Sequence, residues 1–299
     1  MRRFVLTVLA LLACCGAVLA QAARPPLIMS EPETVYSDAQ RAQDEALSRR
    51  FVQSLLQPSY SLDGQFTRWK APVCPHVVGL TPLAAYTVER RIRDVAEKIG
   101  APLDRKDSCK PNIVIFVTPH PQALLDAMAQ KEFFLVAGAR HKDRLTVKYP
   151  VQAWYFGTYT DYNGRLWLDM DCEFYLDDCP PQVAAKGTRL GNGLKAQIGA
   201  ATILVDTAAV TGMTLHTLAD YLSLMTLAQT PPTGRCQPAP SIANLFVGEC
   251  ATDMHTTDLS EADTAMLTAL YATPEEPELL QWSRLGGNMR RALEGGQPK

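Results

Sequence analysis

The chain has 299 residues, 47% of them hydrophobic, and a formal net charge of -2, with 29 Lys and Arg set against 31 Asp and Glu. That apolar content can fill one large core or two small ones. The near-neutral, interspersed charge excludes a surface built to hold nucleic acid.

Arg2 and Arg3 precede an apolar run from Phe4 to Ala13 and a small-residue stretch ending Val18-Leu19-Ala20. This is the pattern of an export signal over 1–20, giving a periplasmic or secreted protein. A second pattern, Leu11-Leu12-Ala13-Cys14, offers a lipoprotein anchored at Cys14 as the alternative. No later stretch approaches the roughly 18 apolar residues of a membrane span, so the mature chain is expected to have no transmembrane segment. Beyond the signal stand Cys74, Cys109, Cys172, Cys179, Cys236 and Cys250. An even number in an exported chain predicts disulfides. Sequence leaves the pairing open, with nearest neighbours (74 with 109, 172 with 179, 236 with 250) as the cheapest arrangement. A zinc-thiolate site is the lesser reading, since no C-x-x-C pair occurs.

Residues 21–36 are Pro-rich and polar and read as a tether. Over 37–58, Ser37 and Gln40 resemble a capping box, and Ala42, Leu47, Phe51, Val52, Leu55 and Leu56 recur at helical spacing up to Pro58, predicting a docked amphipathic helix. An extended segment follows from Phe66, then a helix from Pro82 to Ile99 with the stripe Val88, Ile92, Val95 and Ile99. Asn112–Thr118 reads as a buried strand, and Gln122–Lys131 as a helix leading to a basic connector, Arg140–Lys148. Two β-rich runs flank Asn163-Gly164, the strongest short hairpin signal, and should pair antiparallel. Asp169, Asp171 and Glu173 alternate on one face of the second run, as a calcium site or, more simply, a wet sheet face. Lys186–Lys195 is glycine-rich but lacks the G-K-[ST] of a phosphate loop and reads as a loop.

The stretch around which the chain is organised is a strand, Ala200–Thr207, followed by a largely apolar helix from Leu215. One band of that helix carries His216, Asp220 and Ser223 at i, i+4 and i+7. From His216 the helix has the spacing of H-E-x-x-H-x-x-G-x-x-H with only its first histidine in place. Downstream, Ser241-Ile242-Ala243-Asn244-Leu245 looks like the S-I-M-[NH]-[YL] turn, and Leu259-Ser260-Glu261-Ala262-Asp263 with Leu270-Tyr271 looks like the L-[ST]-x-x-D…L-Y helix. In these residues and in element order the chain resembles the metzincin-like zincin proteases, over about Phe66 to Tyr271.

The resemblance implies an α+β domain, a zincin-like mixed sheet with a central buried helix, over 59–272, and a C-terminal helical tail over 273–299. It implies a turn lying beneath the metal, and a sheet edge at Ala200–Thr207 along which Thr202, Leu204 and Asp206 would meet a bound peptide. In this register His216 and Asp220 are the candidate metal ligands and Thr217 stands at the general base. A threonine hydroxyl cannot serve as that base, and two ligands fall short of the three a catalytic zinc takes, unless a distant group such as His255 joins them. The functional expectation is therefore an exported pseudo-metalloprotease with no cofactor, binding a peptide or a cell-envelope partner. The alternatives are a metal-dependent hydrolase using zinc on His216 and Asp220, and a structural envelope protein with no ligand.

Overall fold

The computed structural model describes residues 38–56, 65–104, 109–131, 145–161, 166–167, 195–230, 232–274 and 278–296. The export signal, the tether, the Asp169/Asp171/Glu173 run, Cys172, Cys179 and all of the Lys186–Lys195 loop except Lys195 lie outside them. The described elements form a mixed α+β arrangement around a mixed sheet.

The sheet has the order β1 (Pro75–Val78), β2 (Ile113–Thr118), β5 (Lys195–Asp206), β3 (Val151–Thr160), β4 (Leu166–Trp167). β1, β2 and β5 run parallel, β3 is antiparallel to β5, and β4 pairs antiparallel with β3 through Tyr159 to Trp167 and Thr160 to Leu166. The runs on either side of Asn163-Gly164 therefore pair antiparallel as expected, while the turn itself lies outside the described residues.

Period-two alternation builds two layers. Ile113, Ile115 and Val117 of β2, with Ala201, Ile203 and Val205 of β5, enter the main core. Phe116 and Leu204 point the other way, into a smaller cluster with Trp154 and with Leu125 and Met128 of α3 (Pro121–Lys131). The main core is closed by α2 (Pro82–Lys98) and α5 (Leu215–Leu227), which pack on each other. Thr81 caps α2 with Pro82 in its first turn, and Val88, Ile92, Val95 and Ala96 form its buried stripe. The β1–α2 turn is tight enough to require glycine: Gly79 has φ 96°, and a Cβ there would sit 2.0 Å from the Val117 carbonyl oxygen.

One-turn helix α4 (Thr207–Val210) follows β5, with Asp206 Oδ1 accepting from the Ala208 amide at 2.9 Å. α6 (Glu261–Ala272) opens on a capping box formed by Ser260 and Asp263. α7 (Glu278–Leu293) packs on α6 and on α1 (Asp38–Leu55). Leu285 and Met289 of α7 are buried in the main core, so this helix is a packed element rather than a tail. α1 docks through Phe51, Val52 and Leu55, each contributing about 1.5–3 kcal/mol of burial. Leu47 and Ala42 are exposed, so the expected stripe is docked only in the second half of the helix. The helices approach closely at Gly286, where a Cβ would lie 2.5 Å from Arg49 Cγ.

Among the described residues two disulfides, Cys74–Cys109 and Cys236–Cys250, join nearest neighbours and are compatible with an extracytoplasmic location. Among the described residues no helix is long and apolar enough to cross a membrane.

Candidate functional site

Helix α5 is held at both ends by side chains. Thr214 caps its start, accepting from the Thr217 amide at 3.1 Å. Its last four carbonyls, which have no partner within the helix, each accept from a side chain: Leu224 from Thr230 Oγ1 (3.2 Å), Met225 from Tyr155 OH (2.6 Å), Thr226 from Trp69 Nε1 (2.7 Å) and Leu227 from Tyr271 OH (2.7 Å). A buried helix end needs these partners, and here they come from the extended segment before β1, from β3, from α6 and from the loop after α5.

The sequence-expected ligands occupy the face of α5 turned toward α2 and the 258–259 segment. Asp220 is fully buried and makes a two-pronged pair with Arg91 of α2, Oδ1 to Nε at 2.5 Å and Oδ2 to Nη2 at 3.1 Å. The Leu259 amide also donates to Oδ2, at 2.9 Å. Hydrogen bonding to Asp220 raises the Arg91 guanidinium above its ordinary pKa, so its positive charge is fixed. His216 is half exposed, its Nε2 2.8 Å from Asp258 Oδ1 and 3.7 Å from Asp220 Oδ2. One ligand atom each from His216, Asp220 and Asp258 falls within 4.8 Å of the others, so the third member of this group is Asp258 and not His255. The guanidinium already neutralises the buried carboxylate, and a divalent cation added there would face a fixed positive charge beside its ligand.

Thr217 is buried and its hydroxyl lies 2.9 Å from that of the cap, Thr214, so it serves the helix start. Ser223 donates to the Ala219 carbonyl one turn back, at 2.7 Å. The edge-strand expectation is corrected outright. β5 pairs with β2 through Ala201–Asp206 and with β3 through Lys195–Val205. Thr202 and Leu204 are buried and Asp206 caps α4, so none of the three presents a free edge to a peptide.

A different face of α5 looks at the Ser241–Phe246 turn. Tyr221 meets Phe246 edge-on, ring centroids 4.9 Å apart. Tyr221 and Met225 line, with Ala243, Phe246, Tyr149 and Arg235, a cleft of about 460 Å³ including its open mouth. The turn itself is braced by buried side chains and a disulfide. Asp263, fully buried, accepts from Ser241 Oγ (2.5 Å), the Ile242 amide (2.9 Å), the Ser260 amide (3.0 Å) and Ser260 Oγ (2.9 Å). Burial lifts the Asp263 carboxyl above the usual range against the opposing pull of these donors. Asn244 donates to the Met254 carbonyl and accepts from the Gln237 amide, and the Cys236–Cys250 bridge closes the loop. The Tyr221–Phe246 contact was missed from sequence because the histidine at 216 drew the register; only the place of the turn decides which helical face it meets.

No family model, curated protein or solved structure matches the chain.

Proposed function

We propose that this chain is a catalytically inactive domain of zincin-like build that binds an extended polypeptide in the cleft between α5, the Ser241–Phe246 turn and the start of β3. The carrying observation is the helix face above the turn. In the proteases the sequence resembles, the turn lies beneath the metal, so the ligand positions are those facing it. Here they are Tyr221 and Met225, four residues apart as the two histidines of H-E-x-x-H are. Ala228 then stands at the glycine, at the C-cap of α5. A buried phenol and a thioether do not make a zinc site, and the space becomes an apolar cleft.

The cleft opens beside the start of β3, where Tyr149 and Pro150 line it, and an apolar cleft at a strand end suits the side chains of an extended polypeptide. On β1 the outward Val77 amide is taken by Glu89 Oε1 at 2.7 Å, which blunts that edge.

The test is fluorescence anisotropy with labelled unstructured decapeptides rich in apolar residues. Ala243→Phe fills the cleft, and circular dichroism checks its fold. Binding by the wild type that falls about tenfold or more in the folded variant supports the reading. Binding that Ala243→Phe leaves unchanged contradicts it.

A second reading, a metal-dependent hydrolase, rests on the His216, Asp220 and Asp258 group. It requires Arg91 to give up Asp220. Zinc-stimulated peptide hydrolysis abolished by His216→Ala would establish it.

A further inference from the structure

The hydrogen-bonding side chains of the cleft wall are spoken for within the protein, with three exceptions. Thr230 Oγ1 donates to the Leu224 carbonyl, Gln237 Oε1 accepts from Ser54 Oγ at 2.6 Å while its Nε2 donates to the Arg235 carbonyl, and Thr233 Oγ1 accepts from the Arg235 amide. The exceptions among the described residues are the Tyr149 phenol, the Tyr221 phenol and the Arg235 guanidinium. Tyr221 is 3% exposed, and its hydroxyl has no hydrogen-bond partner among the described residues. Burial alone pushes its pKa up, so at neutral pH it is a proton donor. Arg235, at the exposed mouth, has no carboxylate partner among the described residues.

An apolar cleft whose open polar side chains can all donate, one of them cationic, is complementary to an apolar group carrying an anion. Resting on the reading of the cleft as a polypeptide site, we infer that its occupant is the C-terminal end of a polypeptide: an apolar last side chain against Met225 and Phe246, and the terminal carboxylate accepting from Tyr221 and Arg235. A carboxylate has oxygen acceptors for both donors. A backbone carbonyl within a chain could satisfy the phenol but would leave the arginine without a counter-charge.

The experiment compares two labelled heptapeptides ending in leucine, one with a free carboxylate and one amidated, on the full exported chain by anisotropy. The acid is expected to bind about tenfold more tightly than the amide, the worth of a partly exposed charge-assisted bond. In Arg235→Gln the two should bind equally. Tyr221→Phe, which keeps the ring against Phe246, should narrow the preference. Equal binding of acid and amide by the wild type, with both weakened by Ala243→Phe, overturns this inference and leaves the cleft as a general polypeptide site. If Ala243→Phe weakens neither, the polypeptide reading of the cleft falls and this inference with it. A preference that survives Arg235→Gln, or displacement of the acid peptide by equimolar decanoate, overturns the assignment to a peptide C-terminus at Arg235.

Discussion

Tyr221 of α5 meets Phe246 of the Ser241–Phe246 turn edge-on, their ring centroids 4.9 Å apart and their planes at 82°. This contact fixes which face of the central helix stands over the turn. It sends the His216 and Asp220 face toward α2 and Asp258, where an arginine already supplies the positive charge.

The Arg91–Asp220 pair gives a first prediction. Asp220→Ala leaves the Arg91 guanidinium and the Leu259 amide without their acceptor; Arg91 is partly exposed and can turn to water, so the cost should be about 1–3 kcal/mol. Urea unfolding should register that loss, whereas His216→Ala, at a half-exposed side chain, should stay within about 0.5 kcal/mol. A His216→Ala loss as large as that of Asp220→Ala would mean the two act as one structural unit.

A second concerns the end of α5. Tyr271→Phe removes the donor to the Leu227 carbonyl and leaves that acceptor in the core. The cost should be about 1–3 kcal/mol, with the secondary structure unchanged by circular dichroism. A neutral Tyr271→Phe would show that the carbonyl finds water instead.

The two disulfides should differ in worth because they close loops of different length. Cys74–Cys109 spans 35 residues and Cys236–Cys250 spans 14. On chain entropy, removing the longer bridge as a paired Cys→Ser variant should cost nearly 4 kcal/mol and the shorter about 3 kcal/mol. Paired variants measured by urea unfolding would reverse that order only if the shorter bridge also braces the turn.

Asp263 makes the stability depend on pH in an uncommon direction for a carboxylate. Its folded pKa is raised by burial, so between the unfolded value, about 3.9, and the folded one the native state holds the extra proton. Its contribution is then fully present below the unfolded value and is lost as pH rises through the folded one. The stability lost in Asp263→Asn should therefore be larger at acid pH than at neutral pH. A difference that grows from acid to neutral would mean that the four donors outweigh burial.

Much of this architecture is legible locally. Pro82 with Thr81 marks the start of α2, the run at 113–118 is a strand, and Ser260 with Asp263 is a capping box. The turn at Ser241–Phe246 is held by Asn244 and the Cys236–Cys250 bridge, both readable as a turn that needs no metal. The site is not legible in the same way, because it depends on relations across the fold. Ala200–Asp206 reads equally well as an edge or a central strand, and only the docking of β3 closes its second side. His216 carries the recognisable chemistry, but helical spacing repeats all round α5, and the turn selects Tyr221 and Met225. Arg91 lies 129 positions from Asp220, a pairing with no local signal.

The central claim is that the chain holds no catalytic metal, whether above the turn or at the His216, Asp220 and Asp258 group, and metal content tests it most directly. The protein should be purified without chelator or histidine tag and its zinc counted by inductively coupled plasma mass spectrometry. The account expects far less than one equivalent, and a melting temperature that does not move when zinc is titrated in. One full equivalent of zinc, lost in both His216→Ala and Asp258→Ala, would contradict it.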